Sequence, residues 1–240
     1  NVWAKLDTGM HRLGMSSNEY AMAISRLENC VNVDEIVQMS HFSSSEELEL
    51  PDTTLSQIKI FEQHTRRHSH STSLANSGAI INWPQCHQNW VRAGIMLYGT
   101  TSAGSSVDLG LRPVMTLKAS LLSIREINPG ESVGYGGIWK SEKKTRIGTV
   151  GIGYGDGYPR HAQNGTPVLI GEHLVPLVGQ VSMDLITIEL GQVSAAVGDE
   201  ITLWGPELKV ETVAQHANTI SYQLLTAISS RVERIYNTAT

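Results

Sequence analysis

The periodicity of the chain changes once, near residue 113, and that change restricts the possible folds more than any other feature. Before it, short strand-like runs alternate with helix-like ones. Val2 to Leu6 reads as a strand ending in the turn Asp7-Thr8-Gly9. Ser17 to Cys30 reads as a helix, with Tyr20, Ile24 and Leu27 at helical spacing and Ser16 or Ser17 as its cap. Ile36 to Phe42 is strand-like, and Thr54 to His64 is a second helix with Leu55, Ile58 and Phe61 on one face. Ser71 to Leu74 reads as a third strand, followed by the turn Asn76-Ser77-Gly78 and a short helix to Trp83-Pro84. Val91 to Tyr98, nearly all apolar, reads as a fourth strand. A βαβαβαβ order marks a parallel α/β sheet or barrel, and four strands are half of an eight-stranded barrel.

From Pro113 onward, aliphatic and β-branched runs are separated by turn signals at Asn128-Pro129-Gly130, Gly134 to Gly137, Gly171-Glu172 and Val197-Gly198-Asp199. Val168 to Ile170 and Leu174 to Val178 flank Gly171-Glu172-His173 in a hairpin pattern. This half reads as an all-β domain interrupted by one late helix, Ser221 to Ser229, with Leu224, Leu225 and Ile228 facing inward. The Ser- and Gly-rich stretch 100–110 reads as a linker. The expected organisation is therefore α/β plus all-β, in two domains, 1–104 and 105–240.

Composition narrows the function classes. A net charge of −5 gives no electrostatic case for nucleic acid or an anionic membrane. No apolar run approaches the roughly 20 residues that span a bilayer. Asn1-Val2-Trp3-Ala4-Lys5 lacks the apolar core of a signal peptide. The two cysteines, Cys30 and Cys86, are far apart, which fits a reducing cytoplasm. No zinc spacing is present, so no metal is expected; His68-Ser69-His70 reads as a polar loop. The chain opens inside an apolar run without an initiator Met, as a fragment would.

Four segments put polar or flexible residues where packing alone does not need them. Lys5 to Gly14 follows a strand, at the face where barrel active sites lie, and presents Arg12 between glycines. Alone it also reads as an exposed polar loop. Leu74-Ala75-Asn76-Ser77-Gly78 enters a helix and could offer N–H groups and a hydroxyl to a phosphate, or serve as a cap. Arg92, inside the apolar run Val91-Arg92-Ala93-Gly94-Ile95, is costly without an acceptor. Val133-Gly134-Tyr135-Gly136-Gly137 and Gly151 to Arg160 flank tyrosines with glycines; they read either as exposed phenols or as β-turns with core tyrosines.

Taken together and in order, these segments resemble the alanine racemase family. The match lies in Lys5 to Gly14, Arg92-Ala93-Gly94-Ile95 with Leu97-Tyr98-Gly99, Val133 to Gly136, Gly153 to Arg160 and Val181-Ser182-Met183-Asp184. It runs from residue 1 to about residue 236. The resemblance implies the second half of a (β/α)8 TIM-type barrel followed by a C-terminal β domain. It implies pyridoxal 5′-phosphate as cofactor and interconversion of L- and D-alanine by two bases, as cytoplasmic bacterial enzymes do to supply D-alanine for peptidoglycan.

Residue by residue, the resemblance gives Tyr135 as the base that works on the L-enantiomer and His41 as the link between it and the cofactor arginine, Arg92. Arg92 would donate to the pyridine nitrogen, and a permanent guanidinium would leave that nitrogen unprotonated. Arg12, Met183 and Tyr154 match substrate contacts, the tyrosines and Met183 crowding the pocket to alanine size. Ser77, Gly94, Ile95 and Tyr222 match phosphate contacts, with Asn76 bordering them. Lys5 matches a lysine that can be carbamylated. Gln180 stands where arginine is frequent in the family. The segment carrying the Schiff-base lysine is not found among these residues, so the expectation is an inactive fragment of a racemase. The resemblance further implies a head-to-tail homodimer with shared sites. Two alternatives stay open: a non-catalytic dimerisation or binding module, and a serine or broad-specificity racemase. A half-barrel would also leave strand edges near residues 2 and 91 unpaired, which favours aggregation or domain exchange.

Overall fold

The computed structural model describes residues 1–49, 51–101 and 109–237, and the chain divides into two compact units, Asn1–Leu97 and Tyr98–Thr240. Most of the expected linker 100–110, and the expected boundary between 104 and 105, lie outside the described residues. Among the described residues no helix is long and apolar enough to cross a membrane.

The first unit runs β1 (Val2–Lys5), α1 (Ser17–Glu28), β2 (Ile36–Met39), α2 (Pro51–Thr65), β3 (Ser71–Ser73) and α3 (Ser77–Asn82). The three strands form one parallel sheet in the order β1-β2-β3, with Lys5 opposite Met39 and Met39 opposite Ser73. Helix α1 begins with a capping box: Ser16 accepts from the Glu19 N–H and the Glu19 carboxylate accepts from the Ser16 N–H. Tyr20 and Ile24 bury against the sheet side of the core with Ala4, Leu6, Ile36 and Phe61.

Two expectations for this unit fail. Leu55 does not face inward; it is 48% exposed. The buried face of α2 is Thr54, Gln57, Phe61 and Thr65, turned so that Gln57 satisfies loop groups described below. Val91 to Tyr98 is not a strand. Trp90 makes one parallel bridge to Ser73, and Ile95–Tyr98 is a 3-10 turn. The chain bends because the Arg92 N–H donates to the Ala75 carbonyl at 2.9 Å and the Gly94 N–H folds back to the Arg92 carbonyl at 3.0 Å. The sheet thus has three strands, and strand pairing beyond Met39 gives way to loops in β2.

The second unit contains β4 (Leu117–Ile127), β5 (Ser132–Val133), β6 (Trp139–Lys140), β7 (Thr145–Val150), β8 (Pro167–Ile170), β9 (His173–Pro176), β10 (Ile186–Glu189), β11 (Glu200–Trp204), α4 (Val210–His216) and α5 (Ser221–Ala227). Six strands make an antiparallel sheet in the order β10-β7-β4-β11-β8-β9. A bridge from Leu177, just past β9, to Ile188 in β10 brings the two edges together, so the sheet nearly closes. The β8–β9 hairpin turns on Gly171-Glu172, with Gly171 at φ +56°, the sign that a tight two-residue turn needs at its first position. Leu121, Val150, Val168, Ile188, Ile201 and Trp204 fill the interior, and Val213 and Leu224 plug it from the helices. Among the described residues two helices, not the single one expected, close this unit. In α5 Leu224 is buried and Leu225 packs against the core, and Ile228, just past the helix end, is buried too.

Candidate functional site

The first unit collects a cationic cluster at the carboxyl ends of its parallel strands. The loop after β1 is shaped by Asp7, whose Oδ1 accepts from the N–H groups of Gly9 (3.0 Å) and His11 (3.1 Å). Those backbone bonds, the one from Gly9 foremost, hold the Asp7 carboxyl below its usual range. The loop leaves Arg12 exposed. The loop after β2 carries Ser40 and His41. Ser40 Oγ donates to the Leu6 carbonyl at 2.8 Å and lies 2.8 Å from Thr8 Oγ1, tying the first two loops together.

Gln57 reinforces this tie from α2. Its Nε2 donates to Thr8 Oγ1 and to the His41 carbonyl, both at 3.1 Å, and its Oε1 accepts from the Ser43 N–H at 3.0 Å. The sequence reading missed Gln57, whose one visible signal was a polar residue at helical spacing from Phe61.

Arg92 enters from the segment just after the Trp90 bridge. Its guanidinium donates to Ser73 Oγ (2.6 Å), the Ser40 carbonyl (2.7 Å) and the Leu74 carbonyl (3.4 Å). Nη2 also lies 3.3 Å from His41 Nδ1. A guanidinium cannot accept, so His41 Nδ1 is the acceptor and the ring proton sits on Nε2. Burial, then the charges of Arg92, Arg12 and Lys5, push the His41 pKa down to about 4. Lys5 is lowered too, by burial first and then by Arg12 and Arg92. Four basic groups thus share one electrostatic environment; neutral oxygens hold Arg92, and the Asp7 carboxylate acts on Lys5. Positive charge outweighs negative there. Arg92 Nε makes no hydrogen bond among the described residues, and is a donor still available.

Beside it, Ser77 and Gly94 line an anion-sized corner. Ser77 Oγ accepts from the Met96 N–H at 3.5 Å, and a Cβ added at Gly94 would meet nothing nearer than that oxygen, at 4.0 Å. Asn76 caps α3: its Oδ1 accepts from the Ala79 N–H at 3.0 Å and from Ser45 Oγ at 2.7 Å. Its side-chain oxygen therefore fixes the turn. Ile95 is buried next to this corner's backbone. These residues offer a cationic donor at one point and a neutral hydroxyl at another, a combination that suits an anionic ligand.

The second unit presents its predicted residues on separate loops. Tyr135 sits in a glycine turn (φ +74° at Gly134, +69° at Gly136) and is 72% exposed. Val133, Ile147 and Val178 form a small core beneath it. Gly179, at φ +78°, lies so close to this hairpin that a Cβ would come within 2.8 Å of the Val133 carbonyl oxygen. Tyr154 and Met183 are brought together: the Tyr154 N–H donates to the Ser182 carbonyl at 3.0 Å and the Gly155 N–H to the Met183 carbonyl at 2.8 Å. Arg231 braces both loops through Asp184 Oδ1 at 2.5 Å and Asp156 Oδ1 at 3.4 Å. Tyr154 is 40% exposed and Met183 53%, whereas Tyr158 is 1% exposed. The glycine-tyrosine segments thus divide: Tyr135 and Tyr154 are surface phenols, and Tyr158 is a core residue. Tyr222 is on the first turn of α5, partly exposed. Gln180 follows Gly179, with its backbone N–H beside Gly134.

Known proteins resemble the chain along nearly its whole length. Residues 1–102 match the family described as alanine racemase, N-terminal domain, and residues 114–236 match alanine racemase, C-terminal domain. The alanine racemase of Vibrio cholerae serotype O1 is 48% identical over 239 residues, covering 98% of this chain and 66% of that protein. The alanine racemase of Haemophilus ducreyi is 50% identical over 235 residues, covering 97% of this chain and 63% of that protein. The crystal structure of the biosynthetic alanine racemase from Pseudomonas aeruginosa superposes with a TM-score of 0.94 at 44% identity, over 99% of this chain and 67% of that one. The alanine racemase of Bartonella henselae, crystallised with covalently bound pyridoxal phosphate, superposes with a TM-score of 0.82 at 30% identity, over 98% of this chain and 66% of that one. The chain spans about two thirds of the length of the curated relatives it matches.

Proposed function

This chain belongs to the alanine racemase family, and from that premise we infer that its residues serve the interconversion of L- and D-alanine with pyridoxal phosphate. The observation that carries the reading is the Arg92–His41 pair, 3.3 Å apart, inside a cationic cluster with Lys5 and Arg12. Bound there, pyridoxal phosphate would supply the electron sink that lets the α-proton of an amino acid leave. Arg92 would hold its ring nitrogen, and the permanent charge on Arg92 would keep a proton off that atom. Ser77, Gly94, Ile95 and Tyr222 would hold its phosphate, with Asn76 fixing the turn. Arg12 would engage the substrate carboxylate.

His41 does not exchange protons on this reading. With its pKa near 4 it is neutral at physiological pH, and its Nε2–H is a donor that can hold a phenolic oxygen in place. Tyr135 is the base that removes the α-proton of L-alanine and returns it. The opposite face of Cα needs a second base. That group, and the lysine that holds the cofactor, is on this reading outside the seven lysines of this sequence, Lys5, Lys59, Lys118, Lys140, Lys143, Lys144 and Lys209. A lowered Lys5 pKa raises the fraction of free amine, the form that takes up carbon dioxide to become a carbamate. Tyr154 and Met183 bound the substrate pocket. The first unit is half of a (β/α)8 barrel, a reading supported by three parallel strands joined through helices. In a head-to-tail homodimer the second unit of one subunit would serve the first unit of its partner.

The test uses the full natural chain loaded with pyridoxal phosphate in deuterated buffer. Tyr135→Phe should stop exchange of the α-hydrogen of L-alanine while exchange into D-alanine continues at the other base. Equal loss of both, or of neither, would refute the role of Tyr135.

A further inference from the structure

At the other end of the parallel sheet, three potential metal ligands converge. Glu28 is the last residue of α1, and His68 and His70 stand just before β3. His68 Nδ1 lies 3.0 Å and His70 Nε2 2.9 Å from the same oxygen, Glu28 Oε1. All three atoms are within 4.8 Å of one another. The two rings are nearly parallel, 7° apart in plane with centroids at 5.8 Å.

Each feature of this cluster suits a cation at its centre. A carboxylate at the last position of a helix faces the negative end of the helix dipole, so it is disfavoured there without positive charge close by. The adjoining cleft, about 320 Å³, is lined by Asp34, Glu35 and Ser69 as well as by Glu28 and His70. It adds negative potential and leaves room for water ligands. Zinc binds imidazole nitrogen and carboxylate oxygen at about 2.0–2.2 Å, so tetrahedral ligand atoms stand roughly 3.3 Å apart. Two of the three edges, 2.9 and 3.0 Å, need to open by a few tenths of an ångström, and the third, between the two imidazole nitrogens, is within 4.8 Å and has to settle near the same length. The neutral rings would then carry their protons on His68 Nε2 and His70 Nδ1, leaving His68 Nδ1 and His70 Nε2 as lone-pair donors.

We propose that Glu28, His68 and His70 form a site for zinc or a similar divalent transition metal, with water completing the shell. The site is structural. It clips the end of α1 to the start of β3 across 40 residues of chain, at the strand ends opposite the Arg92 cluster. Imidazole and carboxylate ligands favour zinc, cobalt or nickel over magnesium.

The experiment is equilibrium dialysis of the full natural chain, freed of metal by a chelator, against Zn²⁺, with Mg²⁺ as the control. His70→Gln and Glu28→Gln keep hydrogen-bonding capacity and similar size, so metal-free melting temperatures matching the parent protein certify folding. One zinc per chain should be lost from each variant, or bind roughly 10- to 100-fold more weakly, and a zinc-induced rise in melting temperature should disappear with it. Cobalt in place of zinc should give a visible ligand-field spectrum that is absent in both variants. Zinc binding of equal stoichiometry and affinity in parent and variants, or none in the parent, would overturn the proposal.

Discussion

Gln57→Met is the sharpest test of how the fold holds the Arg92 cluster together. Gln57 is almost fully buried and links three groups that lie far apart in sequence: Thr8, the His41 carbonyl and Ser43. Methionine matches it in length and volume, so packing changes little while every hydrogen bond is lost. Thr8 keeps its contact with Ser40, and Ser43 is exposed enough to recruit water. The His41 carbonyl and, in part, the Ser43 N–H lose a partner. A buried polar group left unsatisfied costs about 1–3 kcal/mol, so the total is roughly 2–4 kcal/mol. For a chain of this size, each kcal/mol shifts the melting temperature by about 2–4 °C, so a drop of roughly 6–12 °C is expected for the middle of that range. Because the lost bonds tie the loops that carry Arg12 and His41, affinity for pyridoxal phosphate should fall in parallel. Differential scanning calorimetry and a cofactor titration read the two effects. A change below about 2 °C with unchanged cofactor affinity would refute the claim that Gln57 organises these loops.

Three further outcomes follow from individual contacts. His41 has a pKa near 4 in the folded chain against about 6.5 unfolded, so between these values the unfolded chain binds the proton and the native one does not. Stability should therefore fall as pH drops from about 6.5 to about 4, by about 1–2 kcal/mol after allowing for partial exposure of the ring, and be flat below that window; His41→Asn should remove this component from melting curves taken between those limits. At Gly153 an added Cβ would sit 2.3 Å from the Ser182 carbonyl oxygen and 2.4 Å from that of Met183; Gly153→Ala should cost about 1–3 kcal/mol in a denaturant titration and raise KM for alanine by displacing Tyr154 and Met183. Met183→Ala should widen the substrate pocket and raise kcat/KM for serine relative to alanine, and an unchanged ratio would remove Met183 from the specificity determinants.

The architecture was largely legible because it rests on local signals. The Ser16 cap, the Gly171 turn and the change of period near residue 113 each act within a few residues, and the alternation of elements follows from them. Helix α4 carries a helical signal that its surroundings mask. Val210, Val213, Ala214 and Ala217, all buried, repeat at helical spacing, yet two of them are valines in a region already dense with β-branched residues. The three tyrosines of the glycine segments mark a limit of another kind. Tyr135, Tyr154 and Tyr158 have similar neighbours in sequence, and only the packing of other strands decides that the third is buried while the first two face outward.

Arg92 shows why the site was harder to read than the fold. Its apolar neighbours Val91, Ala93 and Ile95 imitate a buried strand, because a short apolar run has no period that separates a strand from other buried backbone. The bend that replaces the strand comes from two backbone bonds, to Ala75 and within Arg92–Gly94. Its acceptors, Ser40, Ser73 and Leu74, come from the end of β3 and from the loops that follow β2 and β3. The residue is conspicuous in the sequence because it is costly to bury without an acceptor, and the structure supplies the acceptors from Ser40, Ser73 and Leu74 while replacing the expected strand with a turn. What the sequence alone could not carry is the orientation of His41. Its neutrality and its Nε2 proton follow from a guanidinium 51 residues away, and those two properties make the ring a fixed donor in place of a titrating base.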